Sequence, residues 1–196
     1  MNLPNKLTLL RIVLVPVFLL CMYCYFPLHF TAALVLFAIA SITDALDGKI
    51  ARKYHLITTF GKFADPLADK ILVLAAFAAL ADTTAYPFPV NGIVITIIAA
   101  REFMVSGLRL VTAEKGVVVA AGIWGKLKTA FTMIAISVML LWLAVWECFC
   151  NGSDAWFAAG EVMGIVFRIL VWISVLLTVI SGGVYLKGYW KYIDMK

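Results

Sequence analysis

Four long stretches without one charged side chain decide what this chain can become: Ile12–Thr43, Thr83–Ala100, Thr129–Trp146 and Ile169–Leu186. About 20 residues of helix cross the hydrocarbon core of a bilayer. The first stretch, broken by Pro27 and His29, is long enough for two helices with a short connection. A helix after Asp65 and another ending near Leu110 bring the predicted spans to six, at 7–26, 30–52, 66–85, 91–111, 123–146 and 165–187. Composition agrees, since 14% of the 196 residues are charged, against about 25% in a soluble domain. The expectation is an all-α integral membrane protein, a single domain over residues 1–196 with no internal repeat. The apolar run after Lys6 and Arg11 outlasts a secretory signal and meets no small-x-small cleavage site, so the first span is expected to be retained.

Charge placement predicts the orientation. Fifteen of the sixteen basic residues fall at the N-terminus, around the 2–3 and 4–5 connections, or in the tail, and only Arg168 lies toward the other side. Cytoplasmic loops carry the excess of Lys and Arg, which puts both termini and both polar connections in the cytoplasm. The net charge of +5 is then a basic inner face against anionic headgroups, not a nucleic-acid footprint. Arg168 reads as a snorkelling anchor, Asp82, Glu147, Asp154 and Glu161 as solvated outer-loop charges, and Trp142, Trp146, Trp156, Trp190 and Tyr192 as interfacial belt residues. Cys21, Cys24, Cys148 and Cys150 read as packing residues or an outer-face disulfide.

One polar island interrupts the pattern. Asp44 and Asp47 are three apart near the end of span 2, and Asp65 and Asp69 four apart at the start of span 3, so each pair shares a helix face. Pro66 fits a first helical turn, where its missing N–H costs nothing. Carboxylates in an apolar segment are expensive, and four together repel one another. Two divalent cations, Mg²⁺ or Mn²⁺, would balance four negative charges, and oxygen ligands suit such hard ions. Gly48 and Ala51 on span 2, with Gly61 in the turn, leave room, and Arg52 is within reach of a phosphate at the same place. A solvated cluster of acids with Lys49, Arg52, Lys62 and Lys70 is the ordinary alternative.

These positions form the pattern Asp-x2-Asp-Gly-x2-Ala-Arg-x8-Gly-x3-Asp-x3-Asp, complete from Asp44 to Asp69. It resembles the signature of the CDP-alcohol phosphotransferases, integral membrane enzymes of phospholipid synthesis. Pro4-Asn5-x-x-Thr8-x-x-Arg11 and the six spans extend the likeness over the chain. The resemblance implies that fold, six transmembrane helices with an N-terminal juxtamembrane segment at Asn5–Arg11, together with metal binding by Asp44, Asp47 and Asp65 and a role for Asp69 as the catalytic base that also contacts metal. It further implies that Asn5, Thr8, Gly48 and Arg52 lie at the CDP group, and that the protein is a homodimer in the bacterial inner membrane with its active site facing the cytoplasm. Thr8 and Arg11 also have a plainer account, as a helix-start polar residue and an inner-leaflet anchor.

The acceptor is addressed by a second cluster: Arg101, Arg109, Lys126 and Lys128. Arg101 and Arg109 are eight residues apart, about 12 Å and roughly 80° on a helix, so they are placed to line adjoining sides of one cavity. Lys126 and Lys128 point nearly oppositely, and one of them is expected to face the site. Several cations suit an alcohol that already carries a phosphate. Gly61–Lys70, Ala100-Arg-Glu-Phe, Gly107-Leu-Arg109 and Gly125-Lys-x-Lys-Thr129 are similar to family members that join CDP-diacylglycerol to sn-glycerol 3-phosphate and release CMP. A sibling transferase with another phosphorylated alcohol is the first rival. A cation transporter is the second, although transporter acids lie near the midplane of inverted repeats and these hug one interface.

Overall fold

The computed structural model describes residues 3–53, 59–114, 122–149 and 154–190, with side chains for 5–44, 61, 64, 66–112, 122–149 and 156–190. Among the described residues there is no strand. Six α-helices follow in order: α1 (Leu3–Tyr23), α2 (His29–Lys53), α3 (Thr59–Asp82), α4 (Gly92–Glu114), α5 (Ile123–Phe149) and α6 (Asp154–Tyr189). Among the described residues, three of them hold segments long and apolar enough to cross a membrane: Asn5–Tyr23, Ile123–Phe149 and Trp156–Tyr189.

The helices pack as one bundle. α1 lies against α2 and α3, α5 against α2 and α6, and α4 against α3 and α6. Phe18, Phe37, Phe77, Leu80, Ile98, Met139, Leu143 and Phe167 meet in its fully buried centre, drawn from all six helices. The outside is apolar as well. Leu9, Val13, Val17 and Leu20 of α1 and Ile165, Ile169, Trp172, Leu176 and Val179 of α6 are exposed, a surface suited to hydrocarbon rather than to water. Because lipid gives no hydrophobic drive between helices, small and polar residues make the close contacts. Thr132 and Ser174 share a buried 2.6 Å hydrogen bond between α5 and α6.

Several sequence expectations need correction. α3 begins at Thr59, so Gly61 lies inside it rather than in a turn, and Pro66 is interior rather than in the first turn. Proline removes one backbone bond there, and burial of Ala64 and Ala68 on the helix's inner side holds the turns together. α6 starts at Asp154, well before the expected 165, because its first turns pack instead of looping. Trp156 contacts Trp142 and Trp146, and Tyr86 and Phe167 complete the aromatic cluster. Trp142 is thus a buried core residue and not a belt residue, and Glu161 lies on a helix.

Glu147 is not a solvated loop charge either. Its Oε2 accepts hydrogen bonds from the backbone N–H groups of Phe30 and Thr31 at 3.1 and 3.2 Å, at the start of α2. A carboxylate at a helix N-terminus satisfies orphan donors and meets the positive end of the helix dipole. His29 adds to the same joint, its Nδ1 donating to the Cys21 carbonyl at 3.0 Å. Glu147→Ala is expected to lower stability by about 1 kcal/mol, readable as a lower Tm of the purified protein, and an unchanged Tm would remove the capping role. Cys21, Cys24 and Cys148 are free thiols; Cys150 and Tyr192 lie outside the described residues.

Candidate active site

The α2 and α3 helices carry the acidic island on their adjoining termini. Asp44, Asp47, Gly48 and Arg52 all fall on the helical backbone of the last turns of α2, and Asp65 and Asp69 on that of α3. Each acidic pair is therefore three or four residues apart within one helix. The side chains of Asp47, Gly48, Arg52 and Asp65 lie outside the described residues, leaving Asp44 and Asp69 to be placed.

Asp44 meets a cation from α1. Arg11 Nη1 is 2.6 Å from Asp44 Oδ1, with Arg11 fully buried and the Asp44 side chain 42% exposed. A guanidinium keeps its charge under any burial, so it requires an anion, and this one belongs to the motif. Thr8, one turn earlier on α1, is also completely buried, while Asn5 is half-buried. The sequence left Arg11 between a membrane anchor and a nucleotide neighbour; a carboxylate partner is what the fold supplies.

Asp69 lies deeper, in a small cavity whose walls include Lys70, Glu102, Lys128, Thr129 and Thr132. Lys70 curls back along its own helix to the Pro66 carbonyl at 2.7 Å. Lys128 is turned inward and buried, while Lys126 is exposed at the start of α5, which separates the two lysines that sequence alone left equivalent. Lys128 Nζ is 2.5 Å from Glu102 Oε1, and Arg101 Nη1 is 3.0 Å from the same oxygen. Two cations on one carboxylate leave a net positive charge beside Asp69.

That positive region continues through α6. Arg101 also donates to Ser181 Oγ. The guanidinium carbons of Arg101 and Arg109 lie 5.4 and 5.2 Å from the centre of the Tyr185 ring, and Arg109 Nη2 donates to the Tyr185 hydroxyl at 2.9 Å. One aromatic side chain thus gathers both arginines. Two glycines make room: a Cβ on Gly182 would sit 3.2 Å from Arg101 Cγ, and one on Gly125 3.1 Å from the Tyr185 hydroxyl. Ser181 and Tyr185 were absent from the residues picked out by sequence, and Glu102 appeared there only within Ala100-Arg-Glu-Phe, with no role of its own. A signal for two of them existed, because Ser174, Thr178, Ser181 and Tyr185 repeat at spacings of four, three and four along an apolar helix, and all four are buried.

The donor chemistry fits hard divalent cations, since four aspartates supply only oxygens. Among the described residues there is no cluster of three or more metal-type ligands, the side chains of Asp47 and Asp65 lying beyond them.

Residues 1–180 match the family model described as CDP-alcohol phosphatidyltransferase. The chain belongs to this family. Among curated relatives, the chain is similar to the CDP-diacylglycerol–glycerol-3-phosphate 3-phosphatidyltransferase of Bacillus subtilis, 40% identical over 97% of this chain and 96% of that protein. The protein of the same name from Rickettsia bellii is 40% identical, covering 97% of both chains. The probable phosphatidylglycerophosphate synthase of Mycobacterium tuberculosis is 44% identical over 71% of this chain and 66% of its own. The family match runs through α1 to most of α6, so the helix that carries Ser181 and Tyr185 is shared in large part, with those two residues just past its end.

Proposed function

We propose that this phosphatidyltransferase moves the phosphatidyl group from CDP-diacylglycerol to sn-glycerol 3-phosphate, giving phosphatidylglycerol phosphate and CMP. The observation that carries the reading is the meeting of Asp69 and the buried Lys128–Glu102–Arg101 group, with Asp69, Glu102 and Lys128 lining one cavity. An alcohol bearing a phosphate needs a base for its hydroxyl and cations for its phosphate, and both are present. The names of the curated relatives specify the same donor and acceptor.

In the reaction, the acceptor hydroxyl oxygen bonds to the lipid-side phosphorus while the bond from that phosphorus to the CMP oxygen breaks. The hydroxyl proton passes to the Asp69 carboxylate, and CMP leaves with the electron pair. Arg101, Arg109 and Lys128 hold the acceptor phosphate, with Tyr185 keeping the two arginines together. Lys126 stands at the entrance. Asn5, Thr8, Gly48 and Arg52 line the CDP group, and Arg11 holds Asp44 in place. Asp44, Asp47, Asp65 and Asp69 would hold two divalent ions, Mg²⁺ or Mn²⁺, which would supply neutralisation of the pyrophosphate charge. All six helices cross the bacterial inner membrane within one domain, with both termini and the site on the cytoplasmic side, and two copies form a homodimer.

Membranes containing the protein, given CDP-diacylglycerol, radiolabelled glycerol 3-phosphate and Mg²⁺ or Mn²⁺, are expected to release CMP as label enters lipid. Label entering lipid only from a different phosphorylated alcohol would favour a sibling acceptor, and metal flux without lipid product would favour a transporter. Arg109→Ala is expected to raise the KM for glycerol 3-phosphate about tenfold, as for a lost charged hydrogen bond, with little change in that for CDP-diacylglycerol. Equal shifts in both constants would count against an acceptor pocket.

A further inference from the structure

At the end of the bundle away from the aspartates lies a second concavity, a groove of about 580 Å³. Small-ligand sites run to about 300–1,000 Å³, so the space is adequate for a headgroup with the start of its acyl chains. Asp69 to the end of α3 at Asp82 is thirteen residues, about 20 Å of helix, and the groove starts just beyond, in the α3–α4 connection. It shares no lining residue with the cavity at Asp69.

Its floor is a fixed construction. The Tyr86 hydroxyl donates to the Gly160 carbonyl, and a Cβ on Gly164 would fall 3.0 Å from that hydroxyl. Glycines four apart thus open one face of α6 and let the tyrosine lie in it. Trp146 and Phe157 form apolar walls, and two charges stand on the rim, Glu161 and Arg168. Both are exposed, and neither has an ion-pair partner among the described residues.

The geometry points to a bound zwitterionic glycerophospholipid, its phosphate on Arg168 and its ammonium on Glu161. The order of the charges carries the choice of ligand. Glu161 lies nearer the outer end of α6, and Arg168 two turns further in, about 10 Å along the axis. A lipid in that leaflet presents its ammonium outermost, its phosphate deeper and its chains deeper still, where Ile165, Ile169 and Trp172 expose apolar side chains. Aromatic faces at Trp146 and Phe157 also suit an ammonium group. An anionic lipid would meet Glu161 with no counter-charge.

The test uses the purified full-length protein, delipidated in detergent and titrated with phosphatidylethanolamine, phosphatidylglycerol or diacylglycerol, with retained lipid read by native mass spectrometry. The wild type is expected to retain phosphatidylethanolamine at least fivefold better than either of the others. Arg168→Gln and Glu161→Gln are each expected to weaken that retention about fivefold, the upper size for an exposed ion pair, with transferase activity unchanged as the check on folding. Equal retention of the three lipids by the wild type overturns the proposal without recourse to any variant. So does unchanged retention by either variant, or a crosslink from Phe157 to a second copy showing that protein fills the groove.

Discussion

Asp69→Asn is expected to reduce turnover by about 10²- to 10⁴-fold, the range for loss of a positioned general base, while CDP-diacylglycerol continues to bind. The asparagine amide keeps the shape of the carboxylate but cannot accept the acceptor's proton. Asp69 lies in the cavity with Lys128 and Glu102, one turn deeper than Asp65, so its loss falls on the acceptor step before it falls on the donor. Single-turnover CMP release measures the first effect, and retention of labelled CDP-diacylglycerol the second. Activity near that of the wild type would remove Asp69 as the base. Loss of donor binding equal to the loss of turnover would make it a donor ligand only.

Glu102→Ala is expected to be the most destabilising single change in the site. The Glu102 side chain is 12% exposed and bridges Lys128 at 5% and Arg101 at 11%, so its removal strands two buried cations. Breaking a buried pair from one side costs about 3–5 kcal/mol, far above an exposed ion pair. A fall in Tm of the purified protein of about 10 °C follows on that scale. Glycerol 3-phosphate is expected to restore more of this loss in the variant than it adds to the wild type, because its phosphate takes over the vacated charge. A Tm within a degree of the wild type, or no response to glycerol 3-phosphate, would mean that the cations are not held as described.

The helices were legible because charge is so rarely tolerated in their apolar runs, and the predicted spans match α1, α2, α4 and α5 to within a few residues. Where the reading failed, tertiary packing had overridden a local rule. Pro66 signals a helix start only when nothing else holds the preceding turns, and buried Ala64 and Ala68 do hold them. The first turns of α6 look like a loop by charge, yet Trp156 and Gly160 pack there against Trp146 and Tyr86. Glu147 looks like a surface acid until α2 presents its N-terminus 117 residues away in sequence.

The candidate site divides in the same way. The aspartate pairs depend on spacing within single helices, which sequence reports directly. The inward turn of Lys128, the Arg11–Asp44 pair and the gathering of Arg101 and Arg109 on Tyr185 each join separate helices. No spacing encodes those. The polar stripe on α6 was the one local trace of that helix's part in the site, and it repeats at helical period in plain view.

Whether base and acceptor cations converge on one alcohol is decided by a structure with sn-glycerol 3-phosphate and a divalent metal bound. The phosphate is expected among Arg101, Arg109 and Lys128, with a free hydroxyl within about 2.6–3.2 Å of an Asp69 oxygen. A phosphate seated elsewhere, or a hydroxyl directed away from Asp69 while the arginines remain on Tyr185, would contradict it.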